Sequence, residues 1–185
     1  GVAATLFVTP RPRSRNLGSL LPADVPPIAR GAIHVHTKRS DGSGSVDDVA
    51  AAASGAGLQF VVMTDHGDAA REPEAPAYRS GVLCIDAVEI STENGHLVAI
   101  GLPQAPFPLG GEARDVIEDV NRLGGFTIAA HLVPPRQAAR WTEWTAPFGG
   151  IEWLNGDSEW RGDAWTVLAR SPVSYPVGGV GTLAR

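Results

Sequence analysis

Apolar and polar positions alternate with two different periods along this chain, and each period predicts its own kind of element. Gly31-Ala32-Ile33-His34-Val35-His36 reads as a strand with His34 and His36 on one face. Ser45 then resembles an N-cap, with Asp47 and Asp48 in the first turn and Val46, Val49, Ala50 and Ala53 on one helical face. Gly55 and Gly57 end that helix. Leu58 to Thr64 predicts a second strand, and residues 68–80 a polar loop broken by Pro73 and Pro76. One strand is expected from Val82 to about Ile90, and a short one from Leu97 to Gly101. Glu112 to Leu123 carries Val116, Ile117, Val120 and Leu123 at helical spacing before Gly124-Gly125. Strands follow at Phe126–Ala130 and Gly150–Leu154, then a helix over Asp157–Arg170. Residues 1–30, with five prolines (Pro10, Pro12, Pro22, Pro26 and Pro27), form an irregular lead-in. The regular pattern of residues 31–185 predicts one α/β domain with largely parallel strands.

Composition narrows the choice of function. The chain has 185 residues, 43% hydrophobic and 19% charged, as in ordinary globular domains. A net charge of -5 argues against a general grip on a nucleic-acid duplex. A small anionic substrate stays open, because metal ions can reverse the sign of a cleft. Cys84 is the single cysteine and lies in an apolar run, so it reads as a core residue. No run of roughly 20 apolar residues is present, so no membrane span is expected. The chain is expected to be soluble, cytoplasmic or exported after loss of an N-terminal leader. No Gly-x-Ser-x-Gly elbow occurs, which leaves covalent serine chemistry without a nucleophile.

The histidines carry the chemistry. Of five, His34, His36, His66 and His131 lie at or just past a predicted strand end, and His96 begins a strand. Strand ends converge on one rim in folds of this class. Along an ideal strand His34 and His36 stand roughly 6.5–7 Å apart, near enough to share a metal. Asp41, Asp65 and Glu89 add carboxylates beside them, and Glu89 lies in an apolar strand where an unpaired charge is costly. Asp65 is read as a ligand, as a partner orienting an imidazole, or as an aid to proton transfer. Lys38 and Arg39 either hold a phosphate or are solvated loop charges. Asn155 either reaches the rim or makes a turn. All five tryptophans fall between Trp141 and Trp165, as a lid over substrate or as outer packing.

His34-Val35-His36-Thr37, Ser40-Asp41-Gly42, Thr64-Asp65-His66, Val88-Glu89-Ile90 and Ala130-His131 resemble, in order, the motifs of the polymerase and histidinol phosphatase (PHP) superfamily. The likeness runs from about Gly31 to Asn155. Gly95-His96 and Gly150-Ile151-Glu152-Trp153-Leu154-Asn155 look most like its carbaryl-hydrolase-like branch. The resemblance implies a distorted (β/α)7 barrel and two or three divalent ions, usually zinc, manganese or iron. It implies that His34, His36 and Glu89 hold one ion, Glu89 and His131 with His96 a second, and Asp41 with His66 a third. It also implies a last Asp-x-His motif, which has no match before Arg185, so the barrel is expected to lack its C-terminal strands. The activity implied is hydrolysis of a small phosphate mono- or diester by a metal-bound hydroxide. A carbamate or ester hydrolase with the same centre, and an inactive metal-binding fragment, are the alternatives.

Overall fold

The first helix forms where its cap lies. Asp48 N–H donates to Ser45 Oγ, and Ser45 N–H donates to Asp48 Oδ2, a reciprocal capping box. In the computed structural model, which describes residues 29–132, 139–153 and 155, this helix is α1, Val46–Gly55. It joins β1, Gly31–Val35, to β2, Phe60–Met63, and the two strands are parallel. Val49, Ala50 and Ala53 cover this pair, packing with Val61, Met63, Val82 and Cys84. Cys84 is thus the buried core residue its apolar run predicts.

The loop expected over residues 68–80 contains a strand. β3, Ala77–Arg79, turns through Ser80 and Gly81, at φ 50° and 77°, into β4, Val82–Asp86. Two successive positive φ angles close a tight hairpin, and Gly81 takes its angle without a Cβ penalty. β3 escaped prediction because it is short and half-polar, with Tyr78 at its centre 75% exposed.

The single strand expected from Val82 to Ile90 is two. After β4 the chain changes its outer neighbour, and β5, Val88–Thr92, pairs with β6, Gly95–Ile100, in place of β3. The inner neighbour does not change. Ala87 N–H donates to Met63 O, Glu89 N–H to Asp65 O, and Gly67 N–H to Glu89 O. These bonds carry the ladder of β2 past its end and bring His66 opposite Glu89.

β6 is followed by α2, Ala113–Arg122, then β7, Phe126–Ala129, and β8, Gly150–Ile151. The sheets run β1-β2-β4-β3 and β5-β6-β7-β8. The strands are not largely parallel as expected. β1–β2, β2–β4 and β7–β8 are parallel, whereas β3–β4, β5–β6 and β6–β7 are antiparallel. For β3–β4 and β5–β6 the cause is connection length, since loops of two residues have no room for a crossover helix, whereas β6 and β7 are antiparallel although α2 lies between them. Among the described residues the strands form a mixed α/β arrangement and no closed barrel.

α2 fulfils its amphipathic pattern. Ala113, Val116, Ile117 and Val120 are buried against Ile90, Leu97, Ala99 and Ala129. Asn94 caps it from the β5–β6 turn, accepting from Ala113 N–H at 2.9 Å. Trp141, 1% exposed, completes this core, whereas Trp144 and Trp153 are exposed. Among the described residues no helix is long and apolar enough to cross a membrane. The lead-in through residue 28, the expected helix over residues 157–170 and the remaining tryptophans lie outside the described residues.

Candidate metal centre

Strand geometry delivers the histidines to one place, but not by plain alternation. The β1–β2 register slips between Ile33 and Val35, and His34 sits in the slip at φ 69°. His36 lies one residue past β1, and His66 three past β2. His96 is the second residue of β6, and His131, at φ 48°, follows β7 by two. Positive φ at a non-glycine costs on the order of 1–3 kcal/mol and persists only where the surroundings impose it. Two of the five histidines carry that strain.

The five imidazoles form a closed circuit. Ring centroids lie 5.2 Å apart for His34–His36, 4.6 Å for His36–His66, 5.5 Å for His66–His96, 5.4 Å for His96–His131 and 4.7 Å for His131–His34. Glu89, wholly buried, stands inside it. Its Oε1 meets His96 Nδ1 at 2.8 Å and His131 Nε2 at 2.9 Å. Its Oε2 meets His36 Nε2 at 2.9 Å, His66 Nδ1 at 3.1 Å and His34 Nε2 at 3.2 Å.

Three nitrogens thus crowd Oε2, yet Glu89 Oε2 and His34 Nε2 have no partner in hydrogen-bond geometry among the described residues. The distances are short and the angles are wrong. A buried polar atom left so costs about 1–3 kcal/mol. A cation between carboxylate and imidazoles removes that cost, and this donor set suits first-row divalent ions. The residues fit a metal.

The electrostatics match. Burial would raise the Glu89 pKa, but contacts with His131, His34, His36 and His96 hold it far below the carboxylate range. Burial works against a charged His34, yet its contacts with Glu152 and Glu89 raise its pKa from 6.5 to about 10. His36 is raised likewise, against burial, by Glu89 and Asp41. His66 is lowered, by burial first.

The structure brings together all five histidines expected at the site with Glu89 and Asp41. Asp41 lies at the open rim, 2.6 Å from His36 Nδ1 and 3.8 Å from His66 Nε2. Three groups have ligand atoms spaced to share an ion: His34, His36 and Glu89; His36, Asp41 and His66; and His66, Glu89 and His96. His131 touches Glu89 but belongs to none of these groups.

The other candidates stand further out. Asp65 is buried and turned to the loop, accepting from Thr37 N, Thr37 Oγ1 and Ser40 Oγ, each at 2.7 Å. Burial alone would raise its pKa, and those bonds lower it. Arg39 reaches Asp86 at 3.2 Å and pairs with Glu74. It also lines, with His66 and Arg71, a cleft of about 130 Å³ beside the cluster. Lys38 is exposed. Asn155 approaches through Glu152, donating to its Oε1 at 2.9 Å.

Glu152 was not foreseen as a site residue. Its Oε1 lies 3.0 Å from His34 Nδ1, and its Oε2 accepts from His131 N–H at 2.9 Å. The signal that could have found it is the strand-end rule itself, because Glu152 directly follows β8.

Fold and site together define a mixed α/β protein with a buried carboxylate encircled by imidazoles. No family model matches the chain, and no curated protein does. Among solved structures the chain is similar to a protein from Bifidobacterium adolescentis provisionally named a metal-dependent phosphoesterase. The TM-score is 0.51 at 15% identity, over 78% of this chain and 85% of that one. A second is a two-domain Bacteroides vulgatus protein containing a predicted PHP-like metal-dependent phosphoesterase. Its TM-score is 0.47 at 22% identity, over 66% of this chain and 43% of that one. The chain therefore spans less than half of that second protein. At these identities the first likeness is one of fold.

Proposed function

We propose that this protein is a metal-dependent phosphoesterase of the PHP type, a phosphatase or phosphodiesterase. The observation that carries the proposal is Glu89, buried inside five imidazoles with one oxygen crowded by ring nitrogens and bonded to none. The likeness of fold to the Bifidobacterium adolescentis protein supports it. So does the order of motifs along the chain, which also supports reading the two sheets as part of a PHP-type barrel.

His34 and His36 with Glu89 would hold one ion, His66 and His96 with Glu89 a second, and His36, Asp41 and His66 an exposed third. His131 would add to the second through its contact with Glu89. Two or three such ions, zinc, manganese or iron, would acidify a water and offset charge on the phosphoryl oxygens. The chain's own residues set the rest. Glu89 would serve both of the first two ions, since among the described residues it is the carboxylate shared by two of these groups. Asp41, two-thirds exposed, and His66, one-third exposed, mark the side open to substrate. Arg39, which lines the cleft beside His66, and Lys38, its neighbour in the chain, are the cations assigned to the ester phosphate. Asp65 anchors this loop through Thr37 and Ser40, which places Asp41.

The test is hydrolysis of an aryl phosphomonoester, an aryl phosphodiester and an aryl carbamate by protein stripped of metal and reloaded with Zn(II), Mn(II) or Fe(II). Turnover of a phosphate ester that a chelator abolishes and metal restores is expected. Glu89→Gln should lose both metal and turnover. Metal-dependent turnover of the carbamate alone would give the centre a different substrate. Wild-type protein that takes up no metal would overturn the proposal.

A further inference from the structure

The two strained histidines share one partner. His34 at φ 69° and His131 at φ 48° come from strands far apart in sequence, and Glu152 holds both. One oxygen takes the His34 ring through Nδ1, and the other takes the His131 backbone N–H. Glu152 is itself fixed. Its N–H donates to Ala129 O at the end of β7, and Asn155 Nδ2 donates to its Oε1. The carboxylate is only 12% exposed.

We infer that Glu152 is the positioning residue of the metal centre, setting the tautomer of His34 and the left-handed turn at His131. The inference rests on the metal-centre reading above. A proton on His34 Nδ1, given to Glu152, leaves the Nε2 lone pair free toward Glu89 and any ion there. The bond to His131 N–H holds the backbone angle that aims His131 Nε2 at Glu89, 2.9 Å away. One carboxylate thereby orients two ligands at once. That needs two acceptor oxygens, because both partners donate.

Glu152→Gln is therefore the sharp perturbation. Glutamine has nearly the same shape but one acceptor and one donor. With its oxygen on His131 N–H, its NH2 meets His34 Nδ1 and forces the proton to Nε2, where it blocks coordination. With the amide reversed, NH2 faces the His131 N–H and the strained turn loses its bond. Either orientation disables one ligand.

The experiment measures Co(II) affinity by competition titration on the full chain, for wild type, Glu152→Gln, Glu152→Asp and Glu118→Gln. Glu118 is exposed on α2 and paired with Arg122, so it serves as the control. Glu152→Gln is expected to bind Co(II) roughly 10–100-fold more weakly. Glu152→Asp, which keeps both oxygens, should recover part of the loss, and Glu118→Gln should match wild type. The second readout is the imidazole 15N spectrum of the Zn(II)-loaded wild type, in which His34 should carry its proton on Nδ1 and bind through Nε2. That spectrum decides the matter even where a variant fails to fold. His34 ligating through Nδ1, or Glu152→Gln within threefold of wild type, would overturn the role of Glu152 while leaving the metal centre standing. Wild type that binds no Co(II) would overturn the metal centre, and this role with it.

Discussion

Asp65→Asn should destabilise the metal-free protein by about 3 kcal/mol at neutral pH, and the figure can be worked from three bonds. Oδ1 accepts from Thr37 N–H and Ser40 Oγ, and Oδ2 accepts from Thr37 Oγ1, each at 2.7 Å. Hydrogen bonds to a charged group are worth about 1.5–3 kcal/mol each, and neutral ones about 0.5–1.5. An asparagine with its oxygen at Oδ1 keeps two bonds and loses roughly 1 kcal/mol from each. Its NH2 then faces the Thr37 hydroxyl, which must turn round to accept. Thr37 is buried, so its own hydrogen is left without an acceptor, at a cost of roughly 1 kcal/mol more.

The pH dependence has a definite sign. The bonds from Thr37 and Ser40 hold the Asp65 pKa below the ordinary 3.8, against burial. A depressed carboxylate pKa stabilises the fold above the unfolded value, and the effect fades as pH falls through the folded value. The gap between wild type and Asp65→Asn should thus be full at pH 7 and close below pH 3.8. Urea unfolding with chelator present, followed by far-ultraviolet circular dichroism, measures it. With a slope of about 2 kcal/mol/M, the midpoint should fall by roughly 1.5 M at pH 7. A shift under about 0.5 kcal/mol, within the usual range for surface substitutions, would refute the anchoring role of Asp65. A gap that widens on acidification would refute the electrostatic account of it.

Two further outcomes follow from the same geometry. Because contacts with Glu152 and Glu89 raise His34 to about 10, its contribution should be complete below pH 6.5 and disappear as pH rises toward 10. The urea midpoint of metal-free protein should fall across that window, and Zn(II) should flatten the fall, since the ion takes the proton's place. Gly95→Ala should cost about 2–4 kcal/mol in unfolding titrations and weaken metal uptake through His96. Gly95 sits at φ 121°, and an added Cβ would lie 2.9 Å from Trp141 Cα, which is backbone and cannot yield easily. A stable Gly95→Ala protein with wild-type metal affinity would refute this.

Much of the candidate site was legible because each of its residues announces itself locally. A histidine at either edge of an apolar run needs no knowledge of the partner strand, so the five that cluster stand out in the sequence, and Glu89 is conspicuous as a charge in apolar surroundings. The helices were legible for the same reason: the Ser45–Asp48 cap and the Val116–Val120 stripe are properties of a single segment. Strand partnership was not. Val82 to Ile90 is apolar apart from Asp86 and Glu89, both of them buried, and its burial barely changes where β4 becomes β5, so the burial pattern does not mark the change of neighbour. β3 buries little and so leaves little trace.

The pairing of His34 with His36 shows how a sound conclusion can rest on an incomplete reason. Strict alternation puts both on one face of an unbroken strand. The strand slips at His34, and a slip by one residue ordinarily turns a side chain to the other face. Both rings reach Glu89 Oε2 all the same, because His34 takes a left-handed backbone angle that swings it back. That angle needs an external hold, and the His34 contact at Nδ1 is with Glu152, 118 residues away. β1 and β8 are the outer strands of their sheets, so this contact ties together the far ends of the order β1-β2-β4-β3 and β5-β6-β7-β8. A constraint of that kind lies in no single segment. The sequence shows a strained candidate ligand only as a histidine, and shows its support only as an acidic residue after a two-residue strand. Candidate ligands are therefore readable one at a time, whereas the residues that position them become visible only once the sheets are assembled.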